Sequence, residues 1–317
     1  MAYRLKLNEP MGRGFQRIAI AQIDRAIVQI DAATETVSVH EARKCLKRTR
    51  ALLRFFRPRL GDDTFKNLNS ALRDIGQSLS GPRDIDVLGQ TVAHLAQAGD
   101  LKPAIATRLN AALASARTAM SAGTQRTGDR RDIIARLSRV RDSIGNIALE
   151  ADNPDLDTTG LGRCFDDCHK AFKTALETGD DEAFHEWRKT VQVHWRHMQL
   201  ISAAWPEYCA ARIAEARAIS ALVGADRDLG LLLTFATTGA LNRPVQADAI
   251  VARLPVAAQR ALTTLVAEQR APLRAQARLH GERLLAEGTS GLCRRLNAYW
   301  EAAADLRELR KTASPPG

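Results

Sequence analysis

The sequence predicts an all-α protein, and three observations carry that reading. Ala, Leu and Arg dominate the composition, and all three are strong helix formers. Apolar residues recur at helical spacing along almost the whole chain. No alternating Val/Ile/Thr/Tyr run is long enough to make a sheet. With 317 residues, of which 45% are hydrophobic and only 5% aromatic, the chain has enough apolar material for one large or two smaller cores.

The elements follow in order. Ile18, Ile20, Ile23, Ile27 and Ile30 mark a first helix. A second is expected from Ser38, where Ser38-x-x-Glu41 reads as a capping box, to a stop at Pro58. A third spans about Asp62 to Leu79 and is broken by Gly81-Pro82, after which Asp84 reads as the N-cap of a fourth. Further helices continue toward Leu149. The stretch Ala151 to Gly162 has no helical period and reads as a linker. Helices are then expected near 163–178, 182–204, 206–223 and 227–239, with Asp228 capping the last of these. Later helices end near Leu309, and a frayed tail follows from Thr312. The expected organisation is an N-terminal half over 1–150, a linker over 151–162, a C-terminal half over 163–311 and a tail over 312–317.

The halves repeat in sequence. His40-Glu41-Ala42-Arg43-Lys44 matches His185-Glu186-Trp187-Arg188-Lys189 at an offset of 145 residues, and Arg83-Asp84 matches Arg227-Asp228 at 144. Arg73 and Ile75 match Arg217 and Ile219 in between. Several matches in one order at one offset argue for two copies of a helical unit.

Charge indicates the partner class. The chain carries 46 Lys and Arg against 36 Asp and Glu, a formal net charge of +10, which favours an anionic partner. At about 100° per residue, His40, Arg43, Lys44, Lys47, Arg50, Arg54 and Arg57 fall within an arc of roughly 140°. Cys45, Leu46, Thr49, Leu52, Leu53, Phe56 and Leu60 take the opposite side. From His40 to Arg57 there are seven Lys or Arg and one acid. Like charges at i,i+4 repel, so a stripe of this kind points to an anion that neutralises it. The second copy is thinner. His185, Arg188, Lys189 and Arg196 share a face with Gln192 and Gln199, which stand where the first copy has Lys47 and Arg54. His194 reads as a core histidine, and His197 lies at the margin of the face. Arg73, Arg83, Arg217 and Arg227 are further candidate contacts, and Arg270, Arg274 and Arg278 form another i,i+4 stripe.

Other chemistries lack their marks. His40-Glu41 and His185-Glu186 are not the metalloprotease His-Glu-x-x-His, because Lys44 and Lys189 occupy the last position. No Gly-rich phosphate loop and no alternating Glu-x-Glu-x-Lys strand occurs. Cys164-x-x-x-Cys168-His169 has no partner pair. No catalytic residue, metal or cofactor is expected. The five cysteines are an odd number and read as reduced thiols, which implies a reducing compartment. Met1 to Pro10 lacks a signal-peptide apolar run. The longest apolar stretch, Leu229 to Leu241, falls short of the roughly 20 residues of a membrane span. A soluble, cytoplasmic protein without a membrane partner is the expectation.

The motifs resemble a known family. His-Glu-x-Arg-Lys-x-x-Lys-Arg-x-Arg at 40–50, followed by Gly81-Pro82-Arg83-Asp84-x-Asp86-Val87-Leu88, is similar to the CHAD domain, the conserved histidine α-helical domain. The resemblance runs from about Tyr3 to Arg310. It implies two pseudo-symmetric four-helix-bundle halves with a basic groove or pore between them. It also implies binding of inorganic polyphosphate and association with polyphosphate granules. Carried over, His40, Arg43, Lys44, Lys47, Arg50 and Arg54 become contacts of the first half. His185, Arg188, Lys189 and Arg196 become contacts of the second. Gln192 and Gln199 depart from the pattern and predict a weaker second site.

Polyphosphate presents oxygens and no bases. Arg can grip two oxygens at once, while Lys acts as a movable point charge. Binding is expected to weaken steeply with salt, and to strengthen at lower pH as His40 and His185 protonate. Two rival readings stay open. Nucleic acid is second choice, because the basic faces carry almost no aromatics for stacking: Phe55 sits at the edge of the first and Trp195 flanks the second. A phosphohydrolase acting on polyphosphate is the third.

Overall fold

A computed structural model of the chain describes residues 3–32, 36–79, 83–123, 130–149, 155–239 and 254–313. Among them lie eleven helices and no strand, so the fold is all-α as the periodicity predicts. The helices are α1 (Met11–Asp31), α2 (Thr36–Leu60), α3 (Asp62–Ser78), α4 (Arg83–Gln97), α5 (Pro103–Gly123), α6 (Arg130–Gly145), α7 (Thr159–Thr178), α8 (Asp181–Leu200), α9 (Pro206–Thr238), α10 (Val256–Leu284) and α11 (Thr289–Ala313).

Two apolar clusters hold the helices together. In the larger, α1, α2, α3 and α6 pack as one group, with Phe15, Ile23, Leu52, Phe56, Leu72 and Leu137 almost fully buried. The same cluster continues without a break into α7, α8, the first half of α9, the end of α10, and α11, through Phe165, Trp187, Val191, Ile219 and Leu292. The core is therefore shared across the linker region, with α2 packed on both α7 and α8. The smaller cluster joins α4 and α5 to the far end of α9 and the start of α10, through Leu88, Val92, Leu109, Leu232, Phe235 and Leu262. Helices α4 and α5 thus contribute to a core made with the C-terminal part of the chain.

Several boundaries differ from the sequence reading. Helix α2 begins at Thr36, a second cap-type residue, so Ser38 lies inside the first turn and forms no capping box. The carboxylate of Glu41 is held instead by Lys44 Nζ at 2.7 Å. Helix α2 also runs through Pro58 to Leu60. A proline one turn from a helix end removes a single ladder bond and crowds the carbonyl four residues back, here that of Arg54. The carbonyls of Arg54 and Phe55 face Gly160 of α7, where a Cβ would stand 1.9 Å from Phe55 O. Only glycine permits that approach, and it seats the start of α7 on α2. Helix α7 begins at Thr159, inside the expected linker; the expected break at Gly81-Pro82 and residues 151–154 lie outside the described residues.

The largest difference is α9. The expected helices 206–223 and 227–239 are one continuous helix of 33 residues, so Asp228 lies in its middle and caps nothing. The reason is burial on both sides of the expected break. Ala216, Ile219 and Val223 fill the larger core, and Leu229, Leu232 and Phe235 the smaller. Asp226 between them is buried and takes Arg270 Nε and Arg274 Nε, both at 2.8 Å. Helix α4 begins at Arg83, which places Asp84 inside it rather than before it. Helix α11 continues past the expected tail start at Thr312 to Ala313. None of the helices is long and apolar enough to cross a membrane, among the described residues.

Candidate anion-binding cleft

The two helices that carry the repeated motif, α2 and α8, form opposite walls of one cleft of about 640 Å³. From α2 come Arg43, Lys47, Arg50 and Arg54, and Arg73 joins them from α3. From α8 come His185, Arg188, Lys189 and Arg196, and Arg227 joins them from α9. Leu46, Leu72, Gly76, Gln77, Gln192 and Val193 complete the wall. Nine Lys or Arg side chains line the space, with no carboxylate and no Phe, Tyr or Trp among the lining residues. Residues as far apart in sequence as Arg43 and Arg227 thus face a common volume.

Several of these arginines donate to neutral groups, whereas Arg73 Nε pairs with Asp74 Oδ1 at 3.0 Å. Arg43 donates to Leu79 O at 3.3 Å, Arg188 Nε to Ser220 O at 2.9 Å, and Arg50 Nε to Asn69 Oδ1 at 2.9 Å. Arg54 donates to Arg50 O at 3.3 Å, and Arg196 donates to Gln192 O while its guanidinium lies 4.8 Å from the Trp195 ring centroid. Burial, then the neighbouring Arg54 and Arg73, pushes Arg50 down to about 10. Burial likewise pushes Arg196 to about 10. An incoming anion stabilises a buried cation and would raise both pKa values. Gly224 of α9 makes room for Arg188: a Cβ there would come within 2.9 Å of its guanidinium.

His185 departs from its expected role. Its Nδ1 accepts a hydrogen bond from Arg227, which fixes the ring proton on Nε2. Burial, with Arg227 and Lys189 nearby, lowers its pKa to about 4. In the ligand-free protein it is therefore neutral between pH 8 and 6, titrating below the expected range. Lys189 is drawn toward Glu186 and lies 3.8 Å from Glu182, so its charge is partly balanced at the rim.

Three expected contacts fall elsewhere, and a fourth is not described. His40 is half-buried near the start of α2 and is not on the cleft wall. Lys44 lies at the edge of the α2 arc and pairs with Glu41. Arg217 is exposed on α9 beyond the wall, near enough to Arg196 to depress its pKa. The Arg83 side chain lies outside the described residues, as does that of Asp84. The late stripe is also reassigned: Arg270 and Arg274 serve Asp226 and Asp181, and Arg278 pairs with Glu282. His197, expected at a margin, is fully buried with Nε2 2.9 Å from Ala51 O and its ring edge-on to the buried Phe55. His194 is a core histidine as read, buried and taking Arg212 Nε at 3.3 Å. Sequence reasoning missed Gly76, Gln77 and Val193 because none carries charge, although Gly76 adjoins the repeated Ile75.

All five cysteines are unpaired, and burial raises the thiols of Cys164 to about 12 and of Cys168 and Cys209 to about 11. Among the described residues, no group of three His, Cys, Asp or Glu side chains is placed to hold a metal ion.

Comparisons with known proteins bear on this arrangement. The family model described as the CHAD domain matches residues 17–237. Among solved structures, PptA from Streptomyces chartreusis superposes with a TM-score of 0.59 at 17% identity, covering 88% of this chain and 100% of that one. The CHAD domain from the plant Ricinus communis superposes with a TM-score of 0.53 at 18% identity, covering 90% of this chain and 95% of that one. Both likenesses are in fold. No curated protein matches the chain.

Proposed function

The chain belongs to the CHAD domain family, and from that membership we propose that it binds inorganic polyphosphate, without catalysis, in the cleft between α2 and α8. The observation that carries this is the lining: nine cations and no carboxylate around one space. A linear polyanion supplies closely spaced charge along its length, which suits cations contributed by four helices. Rim lysines adapt to the chain, while the arginines fixed on backbone and amide oxygens grip it. The absence of Phe, Tyr and Trp from that lining favours an oxygen-only ligand over single-stranded nucleic acid, whose binders stack bases.

The test is a titration with long-chain polyphosphate at two salt concentrations. Wild-type protein is compared with the combined variant Lys47→Ala, Arg73→Ala, Lys189→Ala, and with Lys44→Ala as a control outside the cleft. Removing three phosphate contacts should lower affinity by on the order of a hundredfold and make the salt dependence shallower by about two to three. Lys44→Ala should stay within about twofold. Equal loss in both variants, or none in either, refutes the cleft. An oligonucleotide that displaces polyphosphate at comparable concentration would favour the nucleic-acid reading. Phosphate release from polyphosphate with a divalent metal present would favour the hydrolase. Polyphosphate granules are the expected cellular destination, and the triple variant should not reach them.

A further inference from the structure

The segment before α1 alternates. Leu5 is fully buried and Tyr3 and Leu7 are half-buried, whereas Arg4, Lys6 and Asn8 are exposed. Period-two alternation is the pattern of an extended chain laid along a surface. Its anchors are specific. Leu5 N–H donates to Leu200 O at 2.8 Å, the Tyr3 hydroxyl donates to Arg48 O at 3.0 Å, and Arg17 donates to Arg4 O at 3.0 Å. Leu5 also fills the space beside Gly14, where a Cβ would come within 2.6 Å of it. Arg4 and Lys6 are therefore displayed from a fixed strap.

Two hollows flank the strap. One, of about 380 Å³, is lined by Tyr3, Arg4, Arg48, Gln199, Ser202 and Ile213. The other, of about 310 Å³, has Arg4, Lys6 and Arg307 on its wall. Arg4 belongs to both, and neither wall contains a carboxylate. Arg307 is steadied by Asn8 Oδ1. Glu9, the acid of this segment, is turned back onto Arg17 and the Lys6 backbone N–H.

The first hollow adjoins the cleft along α2 and α8, and Arg4 links it to the second. Arg48 follows Lys47 on α2, and Gln199 lies about one turn beyond Arg196 on α8. Arg196 itself sits among Tyr3, Arg48 and Arg54, close enough for each to act on its charge. Cations thus continue from the cleft past Arg196 to the strap.

We propose that Arg4, Lys6, Arg48 and Arg307 form a second polyanion site, which takes the part of a long polyphosphate chain that extends beyond the cleft. The proposal rests on the cleft's being a polyphosphate site. A chain short enough to be contained in the cleft does not reach the strap, and a long one engages both. Bridging of two sites by one ligand raises affinity through effective concentration.

The test uses the full chain with two ligands, tripolyphosphate and long-chain polyphosphate. In the variant Arg4→Ala, Lys6→Ala, Arg307→Ala, long-chain affinity at low salt should fall by about tenfold and the salt dependence should become shallower, while tripolyphosphate affinity is unchanged. Lys6→Glu, a single exposed change that spares the anchors, should act in the same sense. Long-chain affinity equal to wild type, or an equal loss for both ligands, overturns the strap site and leaves the cleft standing. Wild-type protein that binds neither ligand overturns both.

Discussion

Glycine contacts make the sharpest single-residue statements. At Gly224, alanine would favour helix α9 by about 1 kcal/mol on propensity, yet its Cβ would press on the Arg188 guanidinium 2.9 Å away. The far end of an arginine can move, so Gly224→Ala is expected to keep or raise stability while weakening polyphosphate binding severalfold. Urea unfolding and titration of one sample check both parts, and unchanged affinity contradicts the role given to Arg188. At Gly160 the obstacle is the backbone carbonyl of Phe55, which cannot move alone. Gly160→Ala should cost about 1–3 kcal/mol in urea unfolding, as overpacking of a fixed contact does. Neither effect was legible in the sequence: Gly160 stood in a stretch that read as linker, and Gly224 beside an expected helix break. Lys44 shows the opposite error, because helical angle placed it in the cationic arc but could not show that Glu41 holds it.

Among the elements, α2 was the most legible and α9 the least. In α2 the core side and the cation side follow directly from period, and Arg43, Lys47, Arg50 and Arg54 all reach the cleft. Its ends were misjudged because cap and proline signals are local, whereas packing on Gly160 carries the helix past Pro58. In α9 the tract Gly224-Ala225-Asp226-Arg227-Asp228 looks like a break followed by a cap. Two cores and the Arg270–Asp226–Arg274 cluster keep it helical. That cluster also ties α9 to α10 and, through Asp181, to the first turn of α8. Asp226→Ala would leave two largely buried arginines without this partner, a loss expected to cost about 3–5 kcal/mol. Thermal unfolding measures it, and a change under 1 kcal/mol would show that Asp226 does not hold the helix. The rim of the cleft should keep its composition in this variant, so residual binding by the folded fraction is expected.

For the whole molecule, the fold class was readable from period, whereas the sharing of one core across both halves was not. The packing of α2 on α7 and α8 depends on how bundles meet, and period within one helix is silent on that. Burial also sets the response to acid. His185 and His197 are lowered from 6.5 to about 4, and His194 well below 6.5, all chiefly by burial. The unfolded chain takes up these protons as pH falls below about 6.5, and the folded chain only near 4. Stability of the ligand-free protein is therefore full above pH 6.5 and declines as pH falls toward 4. Melting temperature followed from pH 7.5 to 4.5 should drop, and a flat profile contradicts the buried neutral histidines. The cleft's excess charge gives the converse expectation that saturating polyphosphate raises the melting temperature by mass action. The claim that the polyanion lies between α2 and α8 is tested most directly by amine footprinting. Acetylation of each lysine is read by mass spectrometry with and without long-chain polyphosphate. Lys47 and Lys189 should be strongly protected, while Lys102 and Lys173, outside the cleft wall, react as before. Uniform protection, or protection that spares Lys47 and Lys189, would contradict the cleft as the binding site.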